Sequence, residues 1–318
     1  MKIAIIHNPD AGKGDLTGNA LRNLCADAGH EVVFASTNAD SWESLFSQSP
    51  DRIIIAGGDG TVHRVVPYLA KEKIPFYILP IGTANNIAAC LNQVGFLTER
   101  IAQLANARPR RLDLGWISLD SERRSFVEAV GVGILAELME MLSQEKTEIN
   151  RLDSPPKKLG FALDTLLWLC DEYAGVDCEF SLNGEKRSGR YLLVEVMNMS
   201  SVGPCLTLAP DADPGDGYLD LICVTDEQRL LFRSYVERLK SGGPMNAPFD
   251  GGRCSELQLS SVGELVHIDG EVFDSDQISL SIRIESGALT YLEMPNEPSM
   301  KRPASGEVAR ESRPKVQK

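Results

Sequence analysis

Residues 52–61, Arg-Ile-Ile-Ile-Ala-Gly-Gly-Asp-Gly-Thr, decide how the first half of this chain folds. The stretch begins with β-branched apolar residues, which are typical of a short, fully buried strand. Apolar side chains then recur at helical spacing, so residues 61–71 are predicted to form an amphipathic helix. A glycine turn between a strand and a helix presents backbone N–H groups at the positive end of the helix, which favours phosphate binding. A tight turn with a capping Asp or Thr is the alternative for a single glycine cluster.

Two similar strand–loop units flank this stretch. Residues 2–6 and 75–79 are predicted strands, and each is followed by a loop rich in Gly, Asn or Thr, at residues 7–14 and 80–86. Because the carboxyl ends of parallel strands share one edge, we expect an open parallel sheet with its ligand at that edge.

Six motifs, in this order and spacing, resemble the diacylglycerol kinase catalytic family, which includes soluble bacterial lipid kinases and the sphingosine and ceramide kinases. They are Asn8-Pro9 with Gly12, residues 57–61, residues 81–86, residues 112–115 (Leu-Asp-Leu-Gly), residues 216–220 (Asp-Gly-Tyr-Leu-Asp) and residues 268–271 (Ile-Asp-Gly-Glu). The resemblance covers nearly the whole chain.

The resemblance implies two domains with the active site in the cleft between them. Residues 1–124 would form an α/β domain with an open parallel sheet, like that of NAD kinases and phosphofructokinases, joined by a final strand at 286–296. Residues 125–285 would form an antiparallel β-sandwich that receives the lipid. The tail, residues 297–318, is rich in Pro, Ser and charge and is predicted to be disordered.

ATP is the phosphate donor that the resemblance implies. The candidate nucleotide-binding residues are Asn8, Pro9, Gly12, Lys13, Thr37, Gly57, Gly58, Asp59, Gly60, Thr61, Gly82, Thr83 and Asn85. The first loop is not a P-loop, because Gly14 stands where that motif requires Ser or Thr after the lysine. For Thr37, at the predicted end of the second strand, a plain Ser/Thr turn is an equal alternative.

Five residues are candidates for holding Mg²⁺: Asp59, Asp113, Asp213, Asp216 and Tyr218. In the resembling enzymes carboxylates such as Asp59 and Asp113 organise a nucleotide-bound Mg²⁺, an ion that prefers few carboxylates together with phosphates and water. The resemblance further implies a structural Mg²⁺ held by the side chain of Asp216 and by main-chain carbonyls near Asp213 and Tyr218. Strand-end capping for Asp113 and an acid-rich hairpin turn for residues 211–218 are the alternatives.

An EF-hand is excluded for that acidic loop, because Ile222 occupies the position at which the motif requires Glu.

The Asp269-Gly270-Glu271 motif is the candidate for proton abstraction. A hydroxyl that attacks a γ-phosphate needs a carboxylate within hydrogen-bonding reach. The resemblance implies that Asp269 is the base and that Glu271 supports it or shares its role. An ordinary Asp-Gly turn is the alternative.

Three residues depart from the pattern of the soluble diacylglycerol kinases. His63 and Arg64 stand where Asn and Glu are usual, and Asn86 replaces an Asp. These changes remove negative charge and add positive charge near the expected phosphates. They leave the identity of the lipid open. The four histidines are dispersed in the sequence, and each is expected to be structural.

The second half is predicted to mix helices with short strands. Helices are expected at 134–144, 159–173 and 227–240, with a polar loop at 143–158. The expected strands are residues 126–133, 176–182, 191–197, 218–224, 256–259, 265–268, 278–284 and 289–294, with a hairpin at Asn183-Gly184. The apolar helix at 159–173 either admits an acyl chain or is ordinary core.

Composition narrows the class of partner. A net charge of −13 over 318 residues excludes nucleic acid. No apolar run is long enough to span a bilayer, and the chain begins with a strand, so we expect neither a transmembrane segment nor a signal peptide. The seven scattered cysteines, without a C-x-x-C pair, predict reduced thiols in a cytoplasmic protein.

We therefore expect a cytoplasmic kinase that uses ATP and Mg²⁺ to phosphorylate the hydroxyl of a diacylglycerol-like or sphingoid lipid. It would contact the inner face of the membrane peripherally, and the basic tail is either a weak tether or simply solvated. Two alternatives remain: a kinase of a soluble acceptor, like the NAD kinases, and a catalytically silent protein that binds lipid or nucleotide. The sequence leaves monomer and homodimer open.

Overall fold

The fold of the chain mixes strands and helices in a computed structural model, which describes residues 1–12, 17–95, 97–119, 122–182, 184–243, 247 and 249–294. The strands are β1 (Lys2–His7), β2 (Glu31–Ser36), β3 (Arg52–Gly57), β4 (Phe76–Pro80), β5 (Arg108–Leu119), β6 (Glu122–Phe126), β7 (Ala129–Gly133), β8 (Val176–Leu182), β9 (Glu185–Met197), β10 (Leu219–Thr225), β11 (Asp250–Cys254), β12 (Glu256–Ile268) and β13 (Glu271–Glu293). The helices are α1 (Gly18–Asp27), α2 (Asp59–Glu72), α3 (Asn86–Cys90), α4 (Leu97–Gln103), α5 (Ile134–Gln144), α6 (Lys146–Arg151), α7 (Pro155–Glu172) and α8 (Arg229–Lys240).

The first part of the chain, β1–β4 with α1–α4, is called the α/β half below. Its strands are parallel in the order β2-β1-β3-β4. The β-branched run at 53–55 is fully buried, as its composition predicts. Pairing of His7 with Ala56 and of Gly57 with Pro80 brings the carboxyl ends of β1, β3 and β4 to one edge. The loops that follow these strands therefore lie side by side.

The rest of the chain, β5–β13 with α5–α8, is called the β-rich half. Its strand pairs are antiparallel, and the predicted α/β class with an antiparallel β-sandwich is confirmed. The segments expected at 256–259 and 265–268 belong to one strand, β12, and the segment at 278–284 lies within the long β13. The end of β13 runs beside β4, where Tyr291 pairs with Phe76 in parallel. One continuous sheet thus joins the two halves.

Three helices of the β-rich half cover one face of its sheet. α5, α7 and α8 share a core with β9 and β10 that includes Leu138, Leu166 and Phe232. The polar loop expected at 143–158 was wrong, because α6 forms there and α7 begins at Pro155. Proline is well tolerated in the first turn of a helix, where its missing N–H has no intrahelical partner. Pro155 and Pro156 therefore start α7 rather than interrupt it.

Core packing also accounts for the apolar sequence of α7. Ala162, Leu163, Leu166, Leu169 and Cys170 are buried, whereas Trp168 is half exposed. In the described part of the chain, the helices are too short or too polar to cross a bilayer. The tail at 297–318, for which disorder was predicted, lies outside the described residues, as do Lys13 and Asn183. The strands on either side of Asn183-Gly184 pair as a hairpin, with Leu182 opposite Glu185.

Candidate active site

Close backbone contact joins the loops at the carboxyl edge of the α/β half. A Cβ placed on Gly82 would lie 2.4 Å from the Cα of Gly58, and one placed on Gly12 would lie 2.7 Å from the carbonyl oxygen of Ile81. Such distances are too short for any side chain, so the glycines permit the contact. The structure therefore brings together the loop after β1, the loop at 57–61 and the loop at 81–85, as the sequence predicts.

Side-chain hydrogen bonds fix the shape of these loops. Nδ2 of Asn8 donates to Oγ1 of Thr61 over 2.9 Å. Asn85 has a left-handed backbone, and its amide bonds both the N–H and the carbonyl oxygen of Gly82, at 2.9 and 3.1 Å. The remaining predicted nucleotide ligands in the described residues are Pro9, exposed in the first loop, Thr83, partly buried in the third, and Thr37, buried after β2.

Helix α2 begins within the second loop. Asp59 is its first residue, and Oδ1 of Asp59 accepts a hydrogen bond from the N–H of Ile87 over 3.1 Å. Gly60 follows and is exposed, and a Cβ placed on it would have no neighbour within 4 Å. Neither packing nor backbone conformation requires glycine here. The missing side chain instead leaves open space at the positive end of a helix, where an anion is favoured.

Asp269 lies in a tight turn between β12 and β13, which we call the Asp269 turn (residues 269–270). Both residues have positive φ angles, +50° for Asp269 and +87° for Gly270. The carboxylate of Asp269 accepts hydrogen bonds from the N–H groups of Val127, Glu128 and Ala129, at 2.7, 2.8 and 3.0 Å. These three bonds hold it rigidly in a largely buried position.

Glu271 differs from Asp269 in its surroundings. Its side chain is 78% exposed, and its carboxylate lies 3.9 Å from Nη1 of Arg124. The two predicted catalytic residues are therefore neighbours in sequence, but only Asp269 faces the interior.

A buried cluster of polar side chains joins the loops to the Asp269 turn. Oε1 of Glu128 accepts a hydrogen bond from Nδ2 of Asn86 over 2.8 Å. Oε2 of Glu128 lies 3.4 Å from Nε2 of His63, and the same nitrogen lies 3.7 Å from Oδ2 of Asp269. The sequence analysis missed Glu128. Its signal is a lone carboxylate within the otherwise apolar run from Phe126 to Gly133.

Charges within this cluster shift its protonation. Burial lowers the pKa of an imidazole, but the carboxylates of Asp269, Glu128 and Asp59 outweigh it and raise the pKa of His63 to about 9. Burial raises the pKa of Glu128 to about 7, an effect that the contact with His63 only partly offsets. His63 is thus a buried cation among carboxylates rather than the ordinary structural histidine that the sequence predicts.

Two of the three departures from the family pattern have a local explanation. Asn86 lies against Glu128, so an Asp at position 86 would place a second carboxylate beside a buried one. The amide of Asn86 instead satisfies that carboxylate. Nη1 of Arg64 donates to the carbonyl oxygen of Thr37 over 3.0 Å, and the Arg64 guanidinium lies over the ring of Trp42.

Asp113, the second predicted carboxylate ligand of the nucleotide-bound Mg²⁺, is held by backbone hydrogen bonds. Its carboxylate is fully buried, and its two oxygens accept 2.6 Å hydrogen bonds from the N–H groups of Gly217 and Gly287. Its own N–H donates to the carbonyl oxygen of Pro214. Asp113 therefore holds two turns of the β-rich half together, and its role as a magnesium ligand stays a prediction.

The acidic side chains of the loop at 213–218 make contacts within the protein, and a structural Mg²⁺ in this loop stays a prediction. Oδ1 of Asp213 accepts from the N–H of Gly215, and Asp216 accepts from the N–H of Tyr218 and pairs with Arg253. Among the described residues, no group of three or more His, Cys, Asp or Glu side chains could hold a metal ion. Hydrogen bonds and an ion pair already organise this loop. Among the five candidates, Asp59 is the one that belongs to a glycine loop, at the start of α2.

Comparison with known proteins matches two parts of the chain to two family models. The family model described as diacylglycerol kinase catalytic domain matches residues 2–117, and the model described as YegS C-terminal NAD kinase beta sandwich-like domain matches residues 141–293. Diacylglycerol kinase from Bacillus subtilis (strain 168) is 28% identical over 232 residues, which cover 69% of this chain and 72% of that protein. Diacylglycerol kinase from Staphylococcus aureus (strain bovine RF122 / ET3-1) is 25% identical and covers 84% and 85% of the two chains.

A solved structure supports the fold. The crystal structure of a diacylglycerol kinase from Bacillus anthracis str. Sterne superposes with a TM-score of 0.71 at 21% identity, over 92% of this chain and 97% of that one. The continuous sheet and its two halves are therefore an architecture that occurs in an experimentally determined protein.

Proposed function

We propose that this chain phosphorylates the hydroxyl of a diacylglycerol-like or sphingoid lipid. It belongs to the diacylglycerol kinase catalytic-domain family and is an ATP-dependent kinase that transfers phosphate to an alcohol. The observation that carries the proposal is that His63 and Asn86, which follow the two glycine loops, join Glu128 and the Asp269 turn in one buried cluster. The loops offer a place for phosphate and the turn offers a rigid carboxylate. Residues 1–124 would form the nucleotide-binding domain and residues 125–285 the lipid-receiving domain.

The donor side of the reaction follows from the loops. Backbone N–H groups of residues 58–60 and 83–85 would bind the phosphates of ATP, with Asn8 and Gly12 closing the cradle from the first loop. Open space at Gly60 supports this placement, because a phosphate there would meet the positive end of α2.

Asp59 fits a nucleotide-bound Mg²⁺. One of its oxygens is anchored by Ile87, which holds the carboxylate beside the glycine loops. A single carboxylate with phosphate oxygens and water is a ligand set that Mg²⁺ accepts. The ion would neutralise charge that develops on the transferred phosphoryl group.

The acceptor side of the reaction rests on Asp269. A phosphoryl transfer depends mainly on positioning and electrostatic stabilisation, and the attacking hydroxyl must be oriented toward the γ-phosphate. The three backbone hydrogen bonds to Asp269 fix its carboxylate for that task. We propose that Asp269 orients the lipid hydroxyl and receives its proton, and that Glu271 assists from the exposed side of the turn.

The lipid would be met at a membrane surface by peripheral contact, at the inner face of the membrane. Trp168 of α7 and Leu230 and Leu231 of α8 support this contact, because large apolar side chains that are exposed can enter a lipid interface.

An acceptor assay tests the proposed function. The protein is incubated with γ-labelled ATP, Mg²⁺ and mixed micelles that contain diacylglycerol, sphingosine or ceramide, and a parallel reaction contains NAD. Label in a lipid is the expected result. Label in NAD alone would identify a kinase of a soluble acceptor. Binding of ATP without transfer to any acceptor would contradict the proposal and favour a silent binding protein.

A further inference from the structure

Glu128 occupies the junction between the two halves of the molecule. It lies between β6 and β7, and its N–H donates to Oδ1 of Asp269 over 2.8 Å. Its side chain is only 6% exposed. The same residue therefore binds the Asp269 turn through its backbone and the α/β half through its carboxylate.

Each of the two helices that begin at the glycine loops sends one side chain to Glu128. Asn86 is the first residue of α3, directly after the loop at 81–85, and donates both to Glu128 and, over 2.9 Å, to the carbonyl oxygen of Gly203. His63 lies one turn after Asp59 on α2 and contacts Glu128 and Asp269. All of these contacts cross between the two halves.

The charges suit this arrangement. A buried carboxylate is costly unless it is paired and hydrogen-bonded, and Glu128 has a cationic partner and an amide donor. The imidazolium of His63 also lies between two carboxylates that would otherwise repel each other. Loss of His63 would leave Glu128 buried without its cationic partner, and loss of Glu128 would leave His63 with Asp269 as its remaining close carboxylate.

We propose that Glu128 and His63 are positioning residues of the phosphoryl transfer, which hold the two glycine loops at a fixed distance from the Asp269 turn. The inference rests on the proposed function, because it assumes that the γ-phosphate lies at the loops and the acceptor hydroxyl at Asp269. Neither residue needs to touch substrate. Their effect is exerted through the geometry of the groups that do.

Kinetics of Glu128→Gln, His63→Gln and the double variant test the inference. Each single variant is expected to lower kcat by about 10- to 100-fold, because a displacement of about 1 Å between reacting groups has an effect of that order. The KM for ATP should stay within about threefold of the wild-type value, since the loops themselves are unchanged. The double variant should be no slower than the slower single variant, because either change already breaks the pair.

Glu195→Gln is the matched control. Glu195 and His267 form a second buried Glu–His pair within the β-rich half, with Nε2 of His267 2.9 Å from both carboxylate oxygens. Its loss should destabilise the fold but leave kcat per folded molecule near the wild-type value. Unchanged kcat in both single variants, additive losses in the double variant, or an equal loss in the control would each overturn the inference.

Amide hydrogen exchange gives a readout that does not depend on turnover. The N–H groups of residues 127–129 bind Asp269, so their exchange should be at least about tenfold faster in Glu128→Gln and His63→Gln than in the wild type. Unchanged exchange there would also overturn the inference. Failure of the proposed function would show differently, as a wild-type protein that transfers phosphate to no lipid.

Discussion

Gly60→Ala tests the phosphate-binding assignment with a single methyl group. Gly60 is the second residue of α2, and a Cβ placed on it meets no atom of the protein within 4 Å. The fold should therefore accept alanine without strain. Replacing a helical glycine by alanine should raise the free energy of unfolding by about 0.5–1 kcal/mol, because the unfolded chain loses conformational freedom.

Gly60→Ala should weaken nucleotide binding although it stabilises the fold. If a phosphate occupies the open space at Gly60, the added methyl group overpacks the bound state by about 1–3 kcal/mol, as extra methyl groups do in filled sites. That cost corresponds to a Kd for ATP raised by roughly 5- to 150-fold. Isothermal titration calorimetry with ATP and chemical denaturation measure the two effects on the same preparation.

Gly160→Ala is the control for this experiment. Gly160 also lies in a helix, α7, and also has no neighbour for an added Cβ within 4 Å, but it is far along the chain from the glycine loops. It should gain similar stability and bind ATP as the wild type does. A Gly60→Ala variant that is stabilised and binds ATP with unchanged Kd would refute the assignment of the loop at 57–61 to phosphate.

Three further predictions follow from the geometry. Gly82→Ala places a Cβ 2.4 Å from the Cα of Gly58, so it should lower the free energy of unfolding by about 1–3 kcal/mol in denaturation experiments and weaken ATP binding as well. Asp113→Asn turns an amide donor toward the N–H of Gly217 or Gly287, so it should lower the free energy of unfolding by about 2 kcal/mol or more. The kcat per folded molecule should stay near the wild-type value. A selective loss of Mg²⁺-dependent turnover would instead indicate that Asp113 is a metal ligand. The pKa of His63 is raised from 6.5 to about 9, so its stabilising contribution is present below pH 6.5 and is lost as the pH rises through 9. In urea denaturation, the difference in free energy of unfolding between wild type and His63→Gln should therefore shrink by up to about 3 kcal/mol between these pH values. A His30→Gln control, at a partly exposed histidine, should show no such change.

The carboxyl edge of the α/β half could be predicted from sequence because its signals are local. Each strand is a short apolar run that ends in a glycine-rich loop, and parallel pairing then places those loops together without further information. The contact between Gly58 and Gly82 is a consequence of that order.

The β-rich half was harder to predict because its strands depend on partners far along the chain. Ser260 and Ser261 interrupt the apolar pattern in the middle of β12, which made one strand resemble two. Pairing with Ser279 and Ile278 of β13 carries the strand through that point. Long-range pairing of this kind leaves little trace in a local window.

The direction in which a side chain points was the other feature that could not be predicted from the sequence. A strand motif such as residues 112–115 gives no indication that the carboxylate of Asp113 turns toward Gly217 and Gly287 rather than toward the nucleotide loops. The cluster around Glu128 was missed for a related reason. Its members, His63, Asn86 and Glu128, are separated by up to 65 residues and come together only through tertiary packing.

Phosphate transfer by Asp59→Asn tests most directly whether Asp59 and the glycine loops form the phosphoryl-transfer site. Asparagine keeps the Oδ1 acceptor that binds the N–H of Ile87, so the fold should survive while the charge beside the glycine loops is removed. With γ-labelled ATP, Mg²⁺ and diacylglycerol micelles, we expect that the wild type labels the lipid and that Asp59→Asn, folded to the same extent, is slower by at least about 100-fold. Equal labelling by the two proteins would contradict the proposal that Asp59 and the glycine loops form the phosphoryl-transfer site.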